Sequence, residues 1–140
     1  MCSSDLKQME EKVIPVNKQA LVVGGGIAGM NAALNLSRQG YKSVVVEKEA
    51  ELGGMARRLH HTIEGGDIQA YMKGLVGEVQ KDKNIEGLTD ARVNGFRGFQ
   101  GNFTTEVEIG EDKKSESVDH GVIIVATGGN EYKPKEFFYG

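Results

Sequence analysis

Cysteine is almost missing: the 140-residue chain has one, Cys2. A single thiol excludes an internal disulfide and a four-thiolate iron–sulfur cluster held by this chain alone. It fits a cytoplasmic setting, and its polar N-terminal neighbourhood marks it as an inert thiol. Long apolar runs are missing too. None approaches the roughly 20 residues a membrane helix needs, and no basic segment leads into an apolar one as in a signal peptide. Excess charge is also absent. A net charge of −3 gives no general attraction to nucleic acid or to anionic lipid. No Ser–His–Asp or Cys–His set offers a nucleophile. His60 and His61 are adjacent, which rarely lets both point at one ion, and no carboxylate pattern joins them, so no metal site is expected.

Glycine is the abundant residue: 20 of 140, twice the usual ~7%. The glycines punctuate turns without a period, as in a globular α/β chain. Residues 1–17 are polar and unpatterned and read as a flexible leader, with a short helix around Met9–Val13. Residues 18–140 read as one domain. Ala20–Val23 is a short apolar run, the mark of a strand buried on both faces. Ile27–Gln39 carries Ala28, Ala32, Ala33, Leu34 and Leu36 and suits a helix lying close on a sheet, ended by Gly40. Ser43–Val46 is a second buried strand. Asp67 is placed to cap a helix whose apolar stripe is Ile68, Tyr71, Met72, Leu75, Val76 and Val79, more a core face than a cofactor box. Ile85–Thr89 is a third strand. Ala91–Arg97, Asn102–Ile109 and Glu116–Asp119 form an antiparallel meander; in the middle one Phe103, Thr105, Val107 and Ile109 alternate with polar residues. The charged stretch Asp112–Lys114 is a solvated turn. Val122–Ala126 is a last buried strand. The fold class is therefore α/β: a Rossmann-like parallel sheet with helices and a three-stranded antiparallel meander.

Within this frame Gly24, Gly26 and Gly29 form G-x-G-x-x-G between a buried strand and a helix. The first glycine allows the tight turn, the second lets backbone approach a pyrophosphate, and the third lets helix and strand close up. The new helix presents free amides and its positive end to phosphates. Glu47 ends the second strand 18 residues after Gly29, where a carboxylate accepts hydrogen bonds from ribose hydroxyls and repels a 2′-phosphate. A second pair, Gly53–Gly54, and the late Ala126–Thr127–Gly128 each bring small residues where an extended dinucleotide would pass. Those features, with the meander, favour FAD over NAD. Arg57 and Arg58 read equally as a phosphate clamp or as a solvated pair.

The segments VVGGGIAGMNAALNLSRQGYKSVVVEKEAELGGMARR and VIIVATGG resemble the FAD-binding domain of the glutathione-reductase-like flavoproteins, which carry two dinucleotide-binding domains. IPVNKQALVVGGGIAGMNAALNLSRQGY, GLTDARVNGFRGFQGNF and ATGGNEYKPKEFFYG are similar, more narrowly, to the heterodisulfide reductase A-subunit family of flavoproteins. The resemblance implies an FAD-dependent oxidoreductase that passes electrons between flavin and partner subunits or iron–sulfur proteins. By position it implies that Gly24, Gly26 and Gly29 line the pyrophosphate and that Ile27 and Ala28 supply amides. Glu47 would bind the ribose with Lys48 beside it. Gly54, Met55 and Arg57 would follow the ligand, Val93 would meet the adenine through its backbone, and Ala126, Thr127 and Gly128 would close the site. The reactive cysteine pair of the broad class has no counterpart between Met55 and Leu59, so dithiol chemistry is excluded on this chain. The fold class also calls for a further strand from far downstream and a nicotinamide-binding domain. The sequence thus reads as part of a longer protein, with weak affinity for FAD by itself and with Phe137, Phe138 and Tyr139 promoting self-association. The alternative is a non-catalytic NAD(P)-binding or subunit-docking module.

Overall fold

A computed structural model describes residues 11–130 and 132–136. Cys2 and the aromatic group Phe137–Tyr139 lie outside them, as does most of the expected helix at Met9–Val13; residues 11–13 are irregular.

Four parallel strands form one sheet in the order β3-β2-β1-β7. They are β1 (Ala20–Val23), β2 (Ser43–Val46), β3 (Ile85–Leu88) and β7 (Val122–Val125). The apolar runs that mark these strands are two-sided, and the register shows why. Leu21 pairs with Val44 and Ile123, and Val22 pairs with Val45 and Ile124. Val22, Val45 and Ile124 face Met30, Ala33 and Leu34 of α1 (Ile27–Arg38) and Met72, Leu75 and Val79 of α2 (Ile68–Lys81). Leu21, Val44 and Ile123 face the other way, onto Ala91, Val107 and Val118. Those last three belong to the meander β4 (Ala91–Phe99), β5 (Asn102–Ile109) and β6 (Lys114–His120), a second sheet in the order β4-β5-β6. The result is three layers: helices, parallel sheet, meander.

The meander expected from alternation is present, with longer outer strands and a bulge between Val93 and Gly95. Asp67 caps α2, accepting the Ala70 amide at 3.0 Å. Tyr71 departs from the expected core stripe: it is exposed and within 3.5 Å of the Asn31 side-chain amide. A residue three before or four before a buried position need not itself be buried when the neighbouring helix ends short of it. Before β1 the chain runs along the meander, where Asn17 donates to the Gly101 carbonyl and Pro15 accepts from Asn102. One helical turn was not expected: a 3-10 helix at Gly54–Arg58. Among the described residues, no helix is long and apolar enough to cross a membrane.

Candidate functional site

The carboxyl ends of β1, β2 and β7 open on a cleft of about 660 Å³. The chain leaves β1 through the glycine loop. Gly24 has φ +110°, and a Cβ there would lie 2.2 Å from the Ala126 carbonyl oxygen, so only glycine fits against the tip of β7. A Cβ on Gly29 would lie 1.9 Å from the Gly24 carbonyl oxygen, which is the close helix–strand approach the third glycine permits. Gly26 is different. Its φ of −76° suits any residue, yet a Cβ there would meet no protein atom within 4 Å. The bare position faces the cleft, not the core.

α1 starts directly at this loop. The Met30 amide is the first to bond back, to the Gly26 carbonyl at 3.0 Å. The amides of Ile27, Ala28 and Gly29 therefore have no intrahelical acceptor. Ile27 and Ala28 are exposed beside the cleft and Gly29 is buried beneath it.

Glu47, just past β2, is 5% exposed. One carboxylate oxygen accepts the Gly25 amide at 2.7 Å and the other the Glu49 amide at 3.0 Å. The acid thus locks the glycine loop to the end of β2 and presents its remaining lone pairs to the cleft that it lines. The second glycine pair closes the far wall: the Gly53 amide donates to the Gly25 carbonyl at 2.8 Å, and Gly54 lies against Gly26.

Ten of the residues anticipated from the sequence meet on this cleft: Gly24, Gly26, Glu47, Lys48, Gly54, Met55, Val93, Ala126, Thr127 and Gly128. Ile27, Ala28 and Gly29 do not line it with side chains; their place is the first turn of α1 behind the loop. Arg57 also stands off the cleft. Its guanidinium is held by Glu51 at 2.7 Å and Glu49 at 3.4 Å, whereas Arg58 lines the cleft. A 3-10 turn rotates successive residues by about 120°, so neighbouring arginines face opposite ways, a distinction that needs the turn to be known. Arg92 and Glu49 line the cleft as well and were not anticipated. Their sequence signal is only adjacency, to Val93 and to Glu47. Lys48 and Arg92 also border a second hollow of about 570 Å³, where Lys113 faces Asp90, Glu108 and Glu111. His60 and His61 are exposed and away from the cleft.

Residues 18–137 match the family model of the pyridine nucleotide-disulphide oxidoreductases. The chain is 37% identical over 118 residues to the iron-sulfur A-subunit of the CoB–CoM heterodisulfide reductase of Methanocaldococcus jannaschii, covering 84% of this chain and 17% of that protein. It is also 37% identical over 103 residues to a protein of Archaeoglobus profundus that is itself like the heterodisulfide reductase A-subunit, covering 73% of this chain and 15% of the relative. The chain thus spans about a sixth of the length of these relatives. Among solved structures, L-proline dehydrogenase from P. horikoshii superposes with a TM-score of 0.68 at 24% identity, over 89% of this chain and 25% of the other. An FAD-dependent pyridine nucleotide-disulphide oxidoreductase from Desulfovibrio vulgaris superposes with a TM-score of 0.56 at 19% identity, over 80% of this chain and 24% of the other. Both share the fold.

Proposed function

The chain belongs to the pyridine nucleotide-disulphide oxidoreductase family, and from that premise we propose that its cleft binds FAD as part of an electron-transfer protein of the cytoplasm, of the heterodisulfide reductase A-subunit type. The observation that carries the reading is Gly26: the one loop glycine whose missing side chain leaves open cleft instead of relieving a contact within the chain. It stands at the start of α1, where three backbone amides lack helical acceptors and the helix dipole favours phosphate.

The residues present fit a dinucleotide. Gly24, Gly26 and the first turn of α1 would hold the pyrophosphate, Glu47 the ribose, Val93 the adenine, and Gly54, Met55 and Arg58 the run toward the flavin. Bound flavin would supply the redox chemistry. The chain's own task is to bind and orient it. No cysteine between Met55 and Leu59 is available for thiol exchange, so electrons would leave through partner subunits. One relative is named as an iron-sulfur protein and another as part of a ferredoxin reductase, which supports iron–sulfur proteins as the partners.

Titrating the purified chain with FAD and with NAD, followed by flavin fluorescence and by calorimetry, tests the reading. FAD binding that Gly26→Val removes is expected. Binding of NAD alone, or FAD binding indifferent to Gly26→Val, overturns it.

A further inference from the structure

The 3-10 turn Gly54–Arg58 carries Gly54, Met55 and Arg58 onto the cleft. At five residues it is too short to be held by its own backbone bonds. Its front is fixed to the glycine loop through Gly53 and Gly25. Its middle is fixed by Ala56, which is buried in the helix-side core.

The rear end is held by a side chain from another element. Gln69, in the first turn of α2, points its amide nitrogen at three carbonyls: Ala56 at 3.2 Å, Arg57 at 3.1 Å, and Leu59. These are the carbonyls a helix terminus leaves without backbone donors. A primary amide has two N–H groups, so three acceptors around it share them and the nitrogen sits where a donor is required. The position of α2 is fixed independently, by Met72, Leu75 and Val79 in the core and by the Asp67 cap. Gln69 therefore transmits a rigid reference to the back of the turn.

We propose that Gln69 is a positioning residue for the cleft: its amide caps the turn from outside and so sets where Met55 and Arg58 stand along the bound dinucleotide. The inference rests on the FAD reading for its functional half. Its structural half stands on the hydrogen bonds alone. The requirement is for a donor. A carboxylate of the same shape would turn an acceptor toward three acceptors, an aliphatic chain of similar length would leave them bare, and an ammonium would restore N–H groups.

The test uses the purified full chain and two readouts. Trypsin cuts after Arg57 and Arg58, so the early cleavage rate there, read by mass spectrometry without flavin, reports whether the turn is held. FAD affinity reports whether its cleft face is in place. Gln69→Glu and Gln69→Leu are expected to speed cleavage and to weaken FAD binding by about fivefold each, the scale of a lost hydrogen-bonding group. Gln69→Lys is expected to restore both, while far-UV circular dichroism stays that of the parent chain in all three. A packing role would not separate Glu from Lys. If Gln69→Glu is cut and binds flavin like the parent chain, or if Gln69→Lys fails as Gln69→Leu does, the proposal is overturned. A parent chain that binds no FAD refutes the proposed function and the functional half here, and the cleavage ratio alone then decides the structural half.

Discussion

The carboxylate of Glu47 accepts the backbone amide of Gly25 at 2.7 Å. This single contact joins the ends of two adjacent strands beneath the cleft. The acid expected to serve a ribose therefore also builds the loop around the pyrophosphate position. Glu47→Ala removes an acceptor from two buried or half-buried amides, those of Gly25 and Glu49. The loss is expected to lower unfolding free energy by about 1–3 kcal/mol, measured by urea denaturation of the apo chain. An unchanged denaturation midpoint would show that the amides find other partners.

The glycines of the loop separate by task. Gly24→Ala and Gly29→Ala place a Cβ within 2.2 Å and 1.9 Å of carbonyl oxygens, and each is expected to destabilise the fold by more than about 2 kcal/mol. Gly26→Val meets nothing and is expected to leave the thermal midpoint within about 3 °C of the parent chain while abolishing FAD binding. Equal thermal shifts for all three variants would contradict the assignment.

The two arginines of the 3-10 turn are expected to differ. Arg58 lines the cleft with its side chain 78% exposed, and Arg57 is occupied by Glu49 and Glu51. Arg58→Ala is expected to weaken FAD binding about tenfold at low salt, an effect that fades as salt rises. Arg57→Ala loses only surface ion pairs, for which about 0–1 kcal/mol is typical. Fluorescence titrations of both variants at two ionic strengths decide it; the reverse ranking would refute the orientation of the turn.

His120 predicts an acid sensitivity. It lies fully buried at the end of β6, bonded to Thr105 at 2.7 Å through Nε2 and stacked on Phe103, and its Nδ1 has no partner among the described residues. Burial holds its pKa below the ordinary 6.5, against smaller raising effects from the Val122 backbone and Asp119. The unfolded chain therefore binds the proton more readily than the folded one, and stability rises with pH. The full contribution is present above pH 6.5 and is lost as pH falls from there toward the lowered value. Urea midpoints at about pH 7.5 and pH 5.5 are expected to differ for the parent chain and to converge for His120→Gln. A parent chain equally stable at both would remove the basis for this.

Much of the parallel sheet was legible because its strands are buried on both faces. The register Leu21–Val44–Ile123 beside Val22–Val45–Ile124 requires an unbroken aliphatic run in each of these three strands, and such runs are visible without a structure. The glycine loop was legible for a similar reason: a positive φ or a missing Cβ leaves one residue type. What stayed hidden depends on contacts between distant segments. The 3-10 turn has no local signature beyond its glycines, and without it the facing of Arg57 and Arg58 is undetermined. The three acceptors around Gln69 come from residues 10 to 13 positions earlier. The burial of His120 follows from the meander lying on the sheet, since its own strand is otherwise mostly exposed.

By itself, then, the order of residues determined the strands, the helices, the glycine loop and the acid that follows it, because each rests on local backbone sterics or on the period of apolar side chains. The tertiary structure alone decided which of two neighbouring arginines meets the cleft, that Glu47 holds the loop as well as facing it, and that a glutamine from α2 caps the opposite wall. Those are matters of direction between packed elements, and direction is fixed only when layers close on one another and every buried carbonyl and amide must find its partner.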